Sequence, residues 1–166
     1  ALTKILILGE LKKFSKIAIS IHSIDFEEWK KMTKGHKKQF DKILENLKLI
    51  SEENYGDKIE IKIVSVKGIN DSKESIKKTL DFCNKNNFKF KFLIFEPMEE
   101  SNHKLVVSLE KMDTLLREVG ATQLSKEKSF RGQSDYLPIN KYQYKSTQGV
   151  LIEIGCGKKE VCRACS

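Results

Sequence analysis

Three of the four cysteines in this chain crowd its last eleven residues, as Cys156, Cys162 and Cys165. Cys162 and Cys165 are separated by two residues in a CxxC spacing, which lets two thiolates meet each other or one metal centre. That chemistry takes three forms: a dithiol redox pair, part of a zinc ribbon, or part of an iron–sulfur site. The redox form wants the motif between a strand and a helix early in a fold, whereas here it follows the last strand. Both metal forms want further ligands. Cys156 offers a third thiolate, but none of His22, His36 and His103 lies near the tail, and a structural zinc site closes with four ligands. The set is incomplete within these residues, so we expect the natural polypeptide to continue past Ser166. Cys83 is a different case. It shares an apolar stripe with Ile76 and Leu80 and is expected in the core.

The second group with chemical potential is the lysines. The chain carries 31 Lys and Arg against 23 Asp and Glu, for a net charge of +8, and only Arg117, Arg131 and Arg163 are arginines. Such an excess is either a solvated surface or an attraction for an anionic ligand. Some of these lysines fall inside strands. In the strand expected over Ile17–Ile24, Ile17, Ile19 and Ile21 share one face, and Ala18, Ser20 and His22 the other. In the next, Ile59 to Val66, Ile59, Ile61 and Ile63 oppose Glu60, Lys62, Val64 and Val66. In the third, Phe90 to Phe95, Phe90, Phe92 and Ile94 oppose Lys89, Lys91, Leu93 and Phe95. Each strand has one apolar and one mixed face. A doubly wound sheet buried on both sides would read as continuous apolar runs. The pattern fits either an open barrel with a ligand-bearing interior or an α+β sheet with one face in water.

The elements between these strands follow from apolar spacing. Phe40, Ile43, Leu44, Leu47 and Ile50 predict an amphipathic helix ending near Tyr55-Gly56. Trp29 and the basic run from Lys30 to Lys38 read as a solvated connection, and His36 and His103 are assigned no role. Asp71 and Glu74 fit a capping box for a helix carrying Ile76, Leu80 and Cys83. Ser108 is the expected N-cap of a helix with Leu109, Met112, Leu116 and Val119, with Gly120 at its end. Alternation of strand and helix implies parallel strands with right-handed crossovers. After Thr122 the pattern changes to short antiparallel strands around 121–124, 135–139, 142–146 and 150–154.

Composition narrows the class. At 166 residues, 39% hydrophobic and 33% charged, the chain has a globular composition and enough length for a real core. No apolar run approaches the roughly 18 residues of a membrane span, and the N-terminal stretch lacks the features of a signal peptide. Clustered rather than distributed cysteines point to a reducing, cytoplasmic setting. Aromatic residues do not interleave with basic ones on one face, and no nucleic-acid motif occurs, which argues against a nucleic-acid partner.

Several stretches in the same order resemble the C-terminal part of a radical S-adenosylmethionine protein, of the type of the molybdenum-cofactor biosynthesis GTP 3′,8-cyclase. IAISIHSID is similar to that family's VNVSLDSLD, and KMTKGHKKQFDKILENL to its following helix entry. IEIKIVSVKGINDS resembles VKINTVVMKGVNDD, with Val66 to Asp71 in the same order, and this is the most specific piece. KFKFLIFEPME resembles LRFIEFMPL. Gly149-Val150 and the Cys162/Cys165 pair resemble the family's late strand and C-terminal CxxC. The likeness runs over most of residues 15 to 166.

The resemblance implies an α/β fold: the later strands and helices of a partial (β/α)₆ barrel over residues 1–106. A C-terminal helix, short antiparallel strands and the cysteine tail would follow over 107–166. It implies that the polar strand faces line a barrel interior, with Ser20 on the S-adenosylmethionine side and Lys62 and Lys91 facing a small anionic substrate such as a nucleotide. Cys162 and Cys165 fall on two of three ligands of an auxiliary [4Fe–4S] cluster, whose third cysteine would lie beyond residue 166. The family's CxxxCxxC and glycine-rich cofactor strand do not occur here, so the chain would begin just before the fourth barrel strand. The N-terminal half of the barrel would be a missing partner, and the chain alone would be inert. His22 stands for an aspartate, Ile94 for a glutamate and Glu96 for a methionine, differences that touch the GTP substrate more than the fold. The competing expectations are a zinc-clasped basic binding module without catalysis and a thiol redox protein.

Overall fold

The computed structural model describes residues 9–95, 97, 99–130 and 136–153, with side chains outside 127–130 and 136–138. Three parallel strands come first: β1 (Ile17–Ser20), β2 (Ile59–Ser65) and β3 (Lys89–Ile94). Between β1 and β2 lie α1 (Phe26–Thr33) and α2 (Lys37–Glu52), and between β2 and β3 lies α3 (Lys73–Lys85). The helix α4 (Leu109–Glu118) leads into β4 (Thr122–Phe130), β5 (Tyr136–Tyr144) and β6 (Thr147–Glu153). All six strands form one sheet in the order β1-β2-β3-β6-β5-β4. The last strand is the hinge of this topology: β6 runs parallel to β3 and antiparallel to β5.

The apolar strand faces meet the helices, as their alternation requires. Ile59, Ile61, Phe90 and Leu151 have no exposed surface, and they join Phe40, Leu47, Leu80, Met112 and Leu116 of the helices in one core. Cys83 lies in that core too, fully buried. Burial alternates along β2 and β3, so the other face is half-exposed at Lys62, Val64, Lys91 and Leu93. Close packing at the centre depends on one glycine. A Cβ on Gly149 would stand 2.3 Å from the carbonyl oxygen of Phe90 and 2.2 Å from its ring, so β6 can lie against β3 there only without a side chain.

Several local features differ from the sequence-based expectation. The connection after β1 is not solvated chain: Asp25 caps α1 by accepting the Glu27 and Glu28 N–H groups, and Trp29 is buried against Phe26 and Phe40. The lysines that mask this helix in the sequence occupy its outer side, and Lys34 ends it in a left-handed conformation. His36 is the N-cap position of α2, its N–H donating to Gln39 Oε1. The cap of α3 is Ser72, whose Oγ accepts the Ser75 N–H, rather than Asp71. The two short strands expected around 135–139 and 142–146 give way to one strand, β5, over 136–144, and the turn to β6 passes through Lys145 at φ 51°. Ser108 caps α4 as expected.

The β5–β6 turn is anchored to α3. Asp81 accepts from Tyr144 Oη at 2.8 Å and Lys145 Nζ at 2.6 Å, and Asn84 Oδ1 accepts from the Ser146 N–H and Oγ. The antiparallel strands are thereby tied to the parallel part both through the sheet and through a helix.

Candidate functional site

Parallel strands place their ligand-binding groups at their carboxyl ends, where the connecting loops can be varied without disturbing the core. The loop after β2 shows how the sequence builds such an end. Gly68 takes φ 76°, a conformation glycine adopts without steric cost, and its N–H donates to Asp71 Oδ1 at 2.7 Å. The turn aims Asn70 back under the strand ends. There its Nδ2 donates to the carbonyls of His22 (2.7 Å) and Val64 (2.8 Å), while its Oδ1 accepts the Val66 N–H at 2.7 Å. Asn70 is 2% exposed, and one side chain thus closes the ends of β1 and β2 together. Asp71 reaches Lys111 of α4 at 2.5 Å. Its carboxyl is opposed by burial but held below the usual range by Lys111 and the Gly68 N–H.

The candidate residues Ser20, Lys62 and Lys91 are brought together by this arrangement. Ser20 pairs with Lys62 in the β1–β2 register and Lys62 with Lys91 in the β2–β3 register. The row continues through Val150 and Lys141 to Ser125 on β4. Register partners share a face, and adjacent strands are about 4.8 Å apart. All three candidates therefore stand on the sheet face opposite the helices, Ser20 exposed and the two lysines half-buried. Lys62 makes no ion pair among the described residues, whereas one row below, Glu60 is neutralised by Lys16 at 2.5 Å.

At the upper edge of this face sits His22, to which the sequence reading gives no role. It has φ 66°, and its Nδ1 accepts the Val64 N–H at 3.3 Å. Burial lowers the imidazole's pKa from 6.5. Its alternation with Ser20 placed it on the polar face, but nothing in the sequence signals the left-handed backbone. Two shallow grooves elsewhere, about 460 Å³ beside Leu44 and Phe82 and about 450 Å³ beside Trp29, are lined mainly by helix residues.

The expected cluster ligands Cys162 and Cys165 lie outside the described residues, as do Cys156 and Glu96. Among the described residues no group of His, Cys, Asp and Glu is arranged to hold a metal ion. The one described cysteine, Cys83, has its thiol pushed far up by burial and does not suit a thiolate ligand. The described residues thus supply no ligand set for an iron–sulfur cluster.

No family model matches the sequence, and no curated protein matches it. The fold does have a likeness among solved structures. A domain of pyruvate-formate lyase-activating enzyme from Bacteroides vulgatus ATCC 8482 superposes with a TM-score of 0.53 at 14% identity, over 68% of this chain and 66% of that one. A radical SAM methyltransferase from Sphaerobacter thermophilus gives a TM-score of 0.46 at 15% identity, over 63% of this chain and 31% of that one. The chain thus spans just under two thirds of the first structure and about a third of the second. The mixed α/β architecture, a parallel sheet with helices followed by antiparallel strands, matches a partial radical SAM barrel. No described helix is long and apolar enough to cross a membrane.

Proposed function

We propose that this chain is the substrate-side part of a radical S-adenosylmethionine enzyme, its open sheet face lining the lumen where a small anionic substrate binds. The observation that carries this reading is the in-register row of Ser20, Lys62 and Lys91 on the sheet face opposite the helices. In this reading Ser20 contacts the S-adenosylmethionine, and Lys62 and Lys91 present positive charge to the substrate. Cys162 and Cys165 would bind an auxiliary [4Fe–4S] cluster with a third cysteine supplied from outside the 166 residues. When bound, that cluster would supply a substrate-anchoring or electron-transfer centre.

Within the superfamily, the KGIND stretch favours an enzyme of the molybdenum-cofactor GTP cyclase type. Its Gly68 and Asn70 build the loop that fixes the ends of β1 and β2. His22, Ile94 and Glu96 depart from that cyclase, so a sister enzyme acting on another anionic substrate is the companion proposal. The test is anaerobic reconstitution of the complete natural polypeptide with iron and sulfide. We expect brown protein whose visible iron–sulfur absorption falls on Cys162→Ala. A colourless protein that instead holds one zinc through these cysteines would overturn the proposal in favour of a zinc-clasped basic module.

A further inference from the structure

Three separate features converge on His22. Its φ of 66° lies in the left-handed region, which non-glycine residues adopt at a cost and which recurs at functional sites. Its ring stands in for the next backbone acceptor of β1: the strand ends at Ser20, and the following free N–H of β2, that of Val64, donates to His22 Nδ1. Its own carbonyl is held by Asn70. Backbone and ring are therefore both fixed, and the group left over is the second ring nitrogen.

An imidazole that accepts through Nδ1 in its neutral form carries its proton on Nε2. Burial favours the neutral form, so Nε2 is a hydrogen-bond donor. It has no partner among the described residues. Ser65 Oγ and Gln123 Nε2 are the buried, unpartnered side-chain atoms among the described residues; His22 Nε2 is not one of them, and His22 is half-buried. His22 lies two residues beyond Ser20, and its bond to Val64 sets it two residues beyond Lys62, about 7 Å along the strands. A lysine stem covers that distance.

We propose that His22 is a ligand-recognition residue whose Nε2–H donates to an oxygen of the oxyanion held by Lys62 and Lys91. The inference rests on the open face being a ligand surface, though not on the presence of any cluster. A purely structural His22 would need only its Nδ1. The variant His22→Asn separates the two roles. Asparagine tolerates the left-handed backbone and its side-chain oxygen can accept the Val64 N–H, but it has nothing at the Nε2 position.

The experiment is ring ¹⁵N–¹H correlation spectroscopy on the 166-residue chain, titrated with inorganic pyrophosphate in a phosphate-free buffer. We expect the Nε2–H tautomer at His22. Saturable shifts should appear at its ring and not at those of His36 and His103, and they should weaken in Lys62→Ala. His22→Asn should keep the wild-type Tm and bind pyrophosphate about tenfold more weakly, the loss of one hydrogen bond to a charged group. An Nδ1–H tautomer, or equal affinity in His22→Asn, would overturn the role given to His22 while leaving the lysine face intact. Shifts spread over all three histidines, or no saturable binding at all, would overturn the ligand surface together with it. Where the variant fails to fold, the wild-type tautomer and the distribution of the wild-type shifts over the three histidines still decide the proposal.

Discussion

Asn70 shows how one buried residue can fix the geometry of two neighbouring strand ends. Three hydrogen bonds from a side chain 2% exposed close the ends of two strands. Asn70→Ala leaves a buried N–H and two carbonyls without partners, so it should cost about 3 kcal/mol, read as a lower urea midpoint at an unchanged m-value. Asp81 is a second case, with a pH signature. Lys145, Lys77 and Tyr144 hold its carboxyl well below the ordinary 3.8. A carboxylate whose folded pKa is depressed stabilises above its unfolded value, and that contribution is lost as pH falls through the folded one. Asp81→Asn should therefore lower Tm between pH 5 and 7. The gap from wild type should shrink progressively below about pH 4, as measured by thermal melts across pH. Equal gaps at pH 6 and pH 2.5 would show that the charge of Asp81 contributes nothing. At this scale the sequence was legible where a motif has a local cause. KGIND is such a motif because glycine, asparagine and aspartate each answer one backbone need of the turn. His22 was not legible, because its φ and its ring bond are set by β2, forty residues away.

At the scale of elements, β2 and β3 could be read because isoleucine and phenylalanine alternate with charge over their whole length. The helix α1 could not. Its only deeply buried side chain is Trp29, and one apolar anchor in a lysine-rich run carries no period. The strand β5 was divided in two because Pro138 and Asn140 interrupt its pattern, and Asn140 is buried on the strength of tertiary context alone. The pairing of β6 with β3 joins segments some sixty residues apart and leaves a single local trace, Gly149. Gly149→Ala should force a Cβ into the Phe90 backbone, which cannot yield as a flexible side chain would. We expect a loss of roughly 1–3 kcal/mol and, in hydrogen exchange, faster exchange across β3 and β6 with α2 much less affected. Wild-type protection of β3 in that variant would contradict the β3–β6 register.

For the whole molecule, the division into a helix-covered face and an open face is the central observation. The open face bears the Ser20–Lys62–Lys91 row, and the architecture matches a partial radical SAM barrel. The fold class was legible because alternating strands and helices admit few arrangements. The ligand of the open face was not, because lysines on a strand look the same whether they face water or an anion. The net charge of +8 belongs to this chain and does not by itself describe the surface of a longer polypeptide. The chemistry can be tested directly. The complete natural polypeptide, reconstituted anaerobically and given S-adenosylmethionine with a strong reductant, is assayed for 5′-deoxyadenosine beside the 166-residue chain treated identically. The account predicts deoxyadenosine from the complete polypeptide and none from the 166-residue chain, which has no CxxxCxxC. A complete polypeptide that binds only zinc and forms no deoxyadenosine would contradict it.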